Sequence, residues 1–210
     1  MTEPVTGDDL RKTAAASAEL LRSVADLDWS TPVPGLDFTV SSVVAHMAQG
    51  SAWYAVDLSA GGPDLTVVEV KVAPELPAEI GPAVVETTAS MLAAVIDASG
   101  PDHRGFHPWG QADAAGFAGM GCDELLVHTD DAARALGVDF TPDEALVARV
   151  LARLFPWVAT DDPDAEDPWT LLRWANGRLD RPGRPHQDRW VWHCAPLAEW
   201  DGTNPNDRAS

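Results

Sequence analysis

Apolar residues recur at helical spacing in four long segments of this chain, and glycine or proline interrupts the sequence between them. In each segment the apolar positions return every three or four residues, which places them on one face of an α-helix. Helices that each carry one apolar face can bury those faces against one another. The sequence therefore predicts a mainly α protein built on a four-helix bundle with long connections. The predicted helices cover 8–27, 39–59, 78–98 and 114–136.

The residues at the ends of these segments suit helix termini. Asp8 can cap the first helix, and either Thr39 or Ser41 can cap the second, because their side chains accept hydrogen bonds from free backbone N–H groups. Gly137 follows the fourth segment, where glycine commonly ends a helix in the left-handed conformation. The β-branched run 67–72 predicts either a brief strand or an extended crossover.

The last third of the chain has a different pattern. It predicts a fifth helix over 143–155, an acidic loop over 161–167 and a short helix over 169–179 that starts after Pro168. Polar and apolar residues alternate over 189–193, which predicts one strand. We therefore expect a small C-terminal α/β appendage beside the bundle. The predicted division is a bundle at 1–138, an α+β region at 139–202 and a disordered tail at 203–210.

Charge restricts the partners of this chain. It has 14 basic and 33 acidic residues, a formal net charge of −19. So acidic a surface repels nucleic acid phosphates and anionic lipids, and we expect neither as a partner. No segment has the roughly 20 apolar residues that span a bilayer, and the N-terminus lacks a basic region followed by an apolar core. We therefore expect a cytoplasmic monomer or homodimer, with Cys122 and Cys194 as free thiols.

The fourth segment carries a possible metal-binding pair. Glu124 and His128 are four residues apart, so they share one face of the predicted helix and can bind the same divalent metal ion. The pair alone is also compatible with a solvated helix face that carries a hydrogen bond. His46 lies on the apolar face of the second helix, where it is either a core histidine or a third ligand. In a bundle, ligands on facing helices project into the interior, and His46, Glu124 and His128 would form a His2Glu set.

The segments around these residues resemble a known family. Thr-Val-Ser-Ser-Val-Val-Ala-His46-Met-Ala and Glu124-Leu-Leu-Val-His128-Thr-Asp-Asp-Ala-Ala-Arg-Ala-Leu-Gly resemble the mycothiol-dependent maleylpyruvate isomerase branch of the DinB-like metalloprotein superfamily. The Asp-Pro-Trp169 run, the Gly-Arg-Pro turn and the Trp190-Val-Trp192-His-Cys-Ala-Pro ending resemble its actinobacterial members. The resemblance implies a DinB-like bundle that binds zinc or another divalent metal through the three positions above, with mycothiol as cosubstrate.

The resemblance and the ligand set together predict a function. Two imidazoles and one carboxylate leave an exchangeable position on zinc, and a thiol that coordinates there is deprotonated. We expect a thiol S-transferase or a thiol-dependent isomerase that acts on a small electrophile. Two alternatives stay open. One is zinc-hydroxide hydrolysis or isomerisation without a thiol. The other is a non-catalytic protein that uses the metal to bind a small molecule or to confer resistance.

Four further residues are candidates for contact with the substrate or the thiol. Asp131, three residues after His128, either supports that ligand or forms an ion pair with Arg134, itself a candidate. Trp53 lies seven residues after His46, so it either lines the pocket or packs in the core. His107 lies in a predicted loop where it could reach the substrate.

Overall fold

Seven α-helices occur in the parts of the chain that the computed structural model describes, residues 3–65, 67–160 and 167–208. The first four are long and the last three are short. Two 3₁₀ turns follow, at Leu197–Glu199 and Pro205–Arg208. The helices are α1 (Gly7–Ser23), α2 (Val40–Ala60), α3 (Gly81–Ala98), α4 (Ala114–Leu136), α5 (Glu144–Leu154), α6 (Pro156–Thr160) and α7 (Pro168–Ala175).

The predicted four-helix bundle is confirmed. Both α1 and α2 pack against α3 and α4, so α1 and α2 lie diagonally across the bundle. Helix α5 covers a further side of α4, and α6 and α7 pack on α5. Helix α4 is consequently buried along most of its length, including its polar residues Asp123, His128, Thr129, Asp130 and Asp131. None of the helices in the described residues is long and apolar enough to cross a membrane.

The helix termini show how local sequence sets the boundaries. Helix α4 begins and ends as predicted, and Gly137 after it is left-handed with a φ of 70°. Thr39 caps α2, as one of the two predicted alternatives. The prediction for α1 was wrong at both ends. Its cap is Thr6, whose hydroxyl accepts from the Asp9 backbone while the Asp9 carboxylate accepts from the Thr6 backbone. The helix stops at Ser23, because the chain then continues in tight turns.

The strand predicted over 189–193 does not form, so the appendage has no β-structure among its described residues. The backbone N–H of Val191 donates to the Asn206 side chain at 2.9 Å, and that of His193 donates to the Leu154 carbonyl at 2.9 Å. These groups therefore bond to a side chain and to a helix end, with no partner strand. The alternation of residue types arises because Trp192 is buried while its neighbours Val191 and His193 are only partly buried.

The run 67–72 is likewise an extended crossover without a strand. The side-chain amide of Gln49 on α2 donates to the Val70 carbonyl at 2.7 Å and accepts from the Val72 N–H at 2.6 Å. The Gln49 side chain thus bonds to the Val70 carbonyl and the Val72 N–H, which in a β-sheet would bond to a neighbouring strand. Within the stretch 203–210, for which a disordered tail is predicted, residues 205–208 form a 3₁₀ turn. Most of the predicted acidic loop, residues 161–166, and residues 209–210 lie outside the described part of the chain.

A buried arginine fastens the C-terminal segment to the bundle. The guanidinium of Arg153 on α5 donates to the Asp113 carboxylate at 2.7 Å, and to the carbonyls of His193 at 2.9 Å and Cys194 at 2.8 Å. Asp113 is the N-cap of α4. A single side chain therefore joins α4, α5 and the segment that carries Trp190 and Trp192.

An ion pair between α1 and α5 makes the stability of the bundle depend on pH. Hydrogen bonds from Arg149, aided by Thr6, lower the pKa of Asp9 from 3.8 to about 2. Because the folded-state pKa is the lower one, this contribution is complete above about pH 4 and is lost as the pH falls towards 2. We expect Asp9→Asn to reduce the free energy of unfolding by about 2 kcal/mol at pH 6.

Urea denaturation at a series of pH values checks this expectation. The difference between wild type and Asp9→Asn should shrink as the pH falls from 4 to 2. Asp8→Asn is the control, since Asp8 pairs with Lys12 at a site where both side chains are about 70% exposed and such pairs contribute little. A difference that stays constant down to pH 2 would contradict the assignment.

Candidate metal centre

Three predicted ligands from two helices converge in the wall of one cavity. Helix α2 carries His46, and α4 carries Glu124 and His128 one turn apart. The Glu124 Oε2 atom lies 3.2 Å from His128 Nε2 and 3.6 Å from His46 Nε2. One ligand atom from each residue can be chosen so that all three lie within 4.8 Å of one another. The arrangement has the residue types and the spacing of a three-ligand metal site.

The glutamate oxygen at the centre of this group lacks a hydrogen bond. Glu124 Oε1 accepts from the Tyr54 hydroxyl at 3.1 Å, whereas Oε2 is buried and has no hydrogen-bond partner among the described residues. Burial raises the pKa of the Glu124 carboxyl, but His128 and His46 outweigh it and hold the pKa well below its ordinary value. A buried anionic oxygen without a donor is costly. A divalent cation between the two imidazoles would satisfy it, and the three residues fit such an ion.

The second nitrogen of His128 is held by a buried carboxylate. His128 Nδ1 donates to Asp131 Oδ2 at 2.9 Å, and Asp131 also accepts from Arg178 Nε at 3.1 Å and from Arg134. Asp131 thus contacts the proposed ligand His128 and also pairs with Arg134. Burial lowers the pKa of His128, but Asp131 and Glu124 outweigh it and raise the pKa to about 9. Because Nδ1 is bonded to Asp131, Nε2, which faces Glu124, is the nitrogen available to a metal, and it would release its proton when the metal binds.

The cavity that these residues line has a volume of about 230 Å³. Its apolar wall comes from the loop before α2, from α4 and from the C-terminal segment, and consists of Leu36, Phe38, Val127, Trp190 and Trp192. Its remaining polar lining consists of Asp123, Asn176 and Arg178. Four of these eight residues lie beyond the bundle, so the appendage forms much of the site.

Asp123 is a lining residue that the sequence did not reveal. It is 1% exposed, and its carboxylate accepts from the Trp192 indole and the Asn176 amide, each at 3.0 Å. Burial, with Glu124 beside it, raises the pKa of Asp123 to about 7. Successive residues on a helix point about 100° apart, so Asp123 and Glu124 lie on different faces of α4. Asp123 nevertheless lines the cavity because α4 is covered on nearly all sides.

Three of the other candidate residues do not line this cavity. His107 packs among the rings of Tyr54, Trp109 and Trp192, and burial lowers its pKa to about 4. Trp53 is partly exposed on α2. Arg134 lies behind the site, where it bonds to Asp130 and Asp131. Both cysteines, Cys122 and Cys194, are free and buried, and burial raises each thiol pKa to about 12.

The contact between Asp131 and His128 leads to a testable expectation. Asp131→Asn removes the negative charge that keeps the Nδ1 proton in place and makes the imidazole a stronger ligand. Since such partners affect metal affinity by about 10–100-fold, we expect zinc to bind this variant about 10–100-fold more weakly. Competition with a chromophoric chelator measures the affinity. Asp130→Asn is the matched control, because Asp130 is the adjacent buried aspartate and bonds to Arg134 without touching His128. Equal loss in both variants would show that only helix stability is affected.

Comparison with known protein families finds one match, described as the mycothiol maleylpyruvate isomerase N-terminal domain, over residues 10–133. That span runs from α1 through nearly all of α4 and includes His46, Glu124 and His128. No curated protein and no solved structure matches the chain. The match covers more than half of the sequence and agrees with the predicted resemblance. The chain therefore belongs to the family of the mycothiol maleylpyruvate isomerase N-terminal domain.

Proposed function

We propose that this protein is a zinc-dependent enzyme that activates a low-molecular-weight thiol, mycothiol, for attack on a small electrophile. The unbonded, buried Glu124 Oε2 between two imidazole nitrogens is the observation that carries the proposal. Two histidines and one carboxylate are a ligand set of catalytic zinc sites, which keep one position for an exchangeable ligand. The family name supports a mycothiol-related isomerase-type activity.

The residues around the site suit thiol chemistry. A bound zinc ion supplies the positive charge that favours the thiolate form of a coordinating thiol. Glu124 stays ionised, because its pKa is low, and Asp131 keeps the Nδ1 proton on His128. Cys122 and Cys194 are buried and do not line the cavity, and burial raises the pKa of both thiols, so neither is placed to serve as the nucleophile. The attacking sulfur must therefore come from a cosubstrate.

The proposed reaction has two possible outcomes that share a first step. The sulfur lone pair forms a C–S bond to an electrophilic carbon of a conjugated double bond, and the π electrons move onto the conjugated oxygen. If the C–S bond breaks again after rotation about the carbon–carbon bond, the product is the geometric isomer and the thiol is regenerated. If a proton is added at the neighbouring carbon instead, the product is a thioether and one thiol is consumed.

Metal content and thiol dependence test the proposal together. We expect purified wild type to contain about one zinc per chain and to convert a conjugated carbonyl compound only when thiol is present. His128→Ala should lose both the zinc and the activity. His186→Ala is the control, because His186 is an exposed histidine outside the cavity. Equal activity in wild type and His128→Ala would overturn the proposal, and activity that needs zinc but no thiol would favour hydrolytic chemistry.

A further inference from the structure

The polar side chains of the cavity, apart from the three proposed metal ligands, are already bonded to the protein. The two oxygens of Asp123 accept from Trp192 and Asn176. The Asn176 amide nitrogen donates to Asp123 and to the Leu172 carbonyl, each at 3.0 Å. Because these atoms already bond to one another within the cavity wall, Asp123 and the Asn176 amide nitrogen contribute little to binding the part of a ligand that lies away from the metal.

Arg178, which lines the cavity, is likewise engaged. Arg178 Nε donates to both oxygens of Asp131, at 3.2 and 3.1 Å, and one terminal nitrogen donates to the Asn176 carbonyl at 2.9 Å. Its charge is therefore paired with the carboxylate that supports His128. An anionic ligand body would compete with Asp131 for this guanidinium.

Three aromatic side chains, Phe38, Trp190 and Trp192, form the apolar wall together with Leu36 and Val127. Phe38 packs against His46 with a ring-centroid distance of 5.6 Å, yet 38% of Phe38 is exposed. Trp190 lies 5.6 Å from Trp109 and 5.5 Å from Trp192, measured between ring centroids. Large aromatic side chains that stay accessible beside a polar centre favour a ligand that covers them.

The size of the cavity limits that ligand. A cavity of roughly 150 Å³ holds benzene in an engineered protein, so the volume of about 230 Å³ here admits one ring with a short chain. We infer that the electrophile used by the proposed activity has an apolar aromatic or conjugated body, and that Phe38 and Trp190 select it. The role of this ligand as the electrophile rests on the proposed function. The binding of the ligand to the cavity can be measured without any reaction.

Three unreactive ketones test the inference by titration calorimetry with zinc-loaded protein. They share the group CH₂CH₂COCH₃ and differ at its end: 4-phenylbutan-2-one carries phenyl, butan-2-one carries hydrogen and 4-oxopentanoate carries a carboxylate. We expect the phenyl ketone to bind at least about tenfold more tightly than either of the others, since even one methylene in an apolar pocket changes selectivity about 10–200-fold. Equal binding of all three, or tighter binding of 4-oxopentanoate, would overturn the inference.

Variants locate the binding surface. Phe38→Ala and Trp190→Leu should each weaken the phenyl ketone about tenfold and leave butan-2-one nearly unchanged. Leu197→Ala is the matched control, because Leu197 is 38% exposed like Phe38 and lies outside the cavity. Phe38 is partly exposed, so its truncation should leave the fold intact, which circular dichroism checks. Unchanged phenyl-ketone binding in Phe38→Ala would contradict the proposed selection. A protein that binds the ketone but shows no thiol-dependent turnover would refute the proposed function alone.

Discussion

Zinc at about 1,000 times its dissociation constant should stabilise the wild-type chain by about 4 kcal/mol, because it binds the folded form alone. For a chain of this length that corresponds to a rise in melting temperature of about 8–16 °C. Glu124→Gln should remove most of the rise. Glutamine keeps the size of the side chain but lacks the anionic oxygen that faces His46 and His128. Loss of a residue that only hydrogen-bonds to a metal ligand weakens metal binding by up to roughly 100-fold. Loss of a direct ligand such as Glu124 should weaken zinc binding by more than that.

Thermal melts of metal-free protein, with and without added zinc, measure this effect. Glu19→Gln is the control, since Glu19 is an exposed glutamate on α1 that lies away from the cavity. It should show the full rise in melting temperature. The metal assignment would be wrong if zinc left the wild-type melting temperature unchanged, or if Glu124→Gln responded as strongly as wild type.

Arg153→Met should destabilise the fold by about 2–4 kcal/mol. Methionine preserves the aliphatic packing of the side chain but removes the donors to Asp113, His193 and Cys194. Breaking a fully buried ion pair costs about 3–5 kcal/mol, and the cost here is lower because Asp113 is 23% exposed. The same change should loosen the segment that carries Trp190 and Trp192, and with it the wall of the cavity.

Chemical denaturation and hydrogen exchange measure the two effects separately. Arg11→Met is the matched control, because the Arg11–Asp97 pair lies on the surface with side chains 40% and 51% exposed. A surface pair contributes about 0–1 kcal/mol. A similar loss of stability in both variants, or unchanged exchange around residues 190–194 in Arg153→Met, would contradict the role assigned to Arg153.

For helix α4, the prediction from neighbouring residues was accurate, whereas α3 begins at Gly81 and not at 78, and α7 ends at Ala175 and not at 179. Helix α4 has the predicted bounds because Asp113 and Gly137 carry local capping signals. The helical spacing of Glu124 and His128 likewise follows from periodicity alone. Where two local signals competed, the prediction was less accurate. Asp8 and Thr6 are both suitable caps, and the reciprocal bonds between Thr6 and Asp9 selected Thr6.

The sequence by itself determined the four amphipathic helices and the three residues proposed as metal ligands. It could not show which segments with alternating polar and apolar residues pair with a second strand, so the segment 189–193 was wrongly predicted as a strand. It could not show that α4 is covered on nearly all sides, which turns Asp123 and Asp131 into buried groups. Tertiary structure decided these points, because burial and hydrogen-bond partners come from residues distant in the chain. Among them are Asn176, Arg178, Trp190 and Trp192, which the fold of the C-terminal region brings over the bundle to complete the cavity.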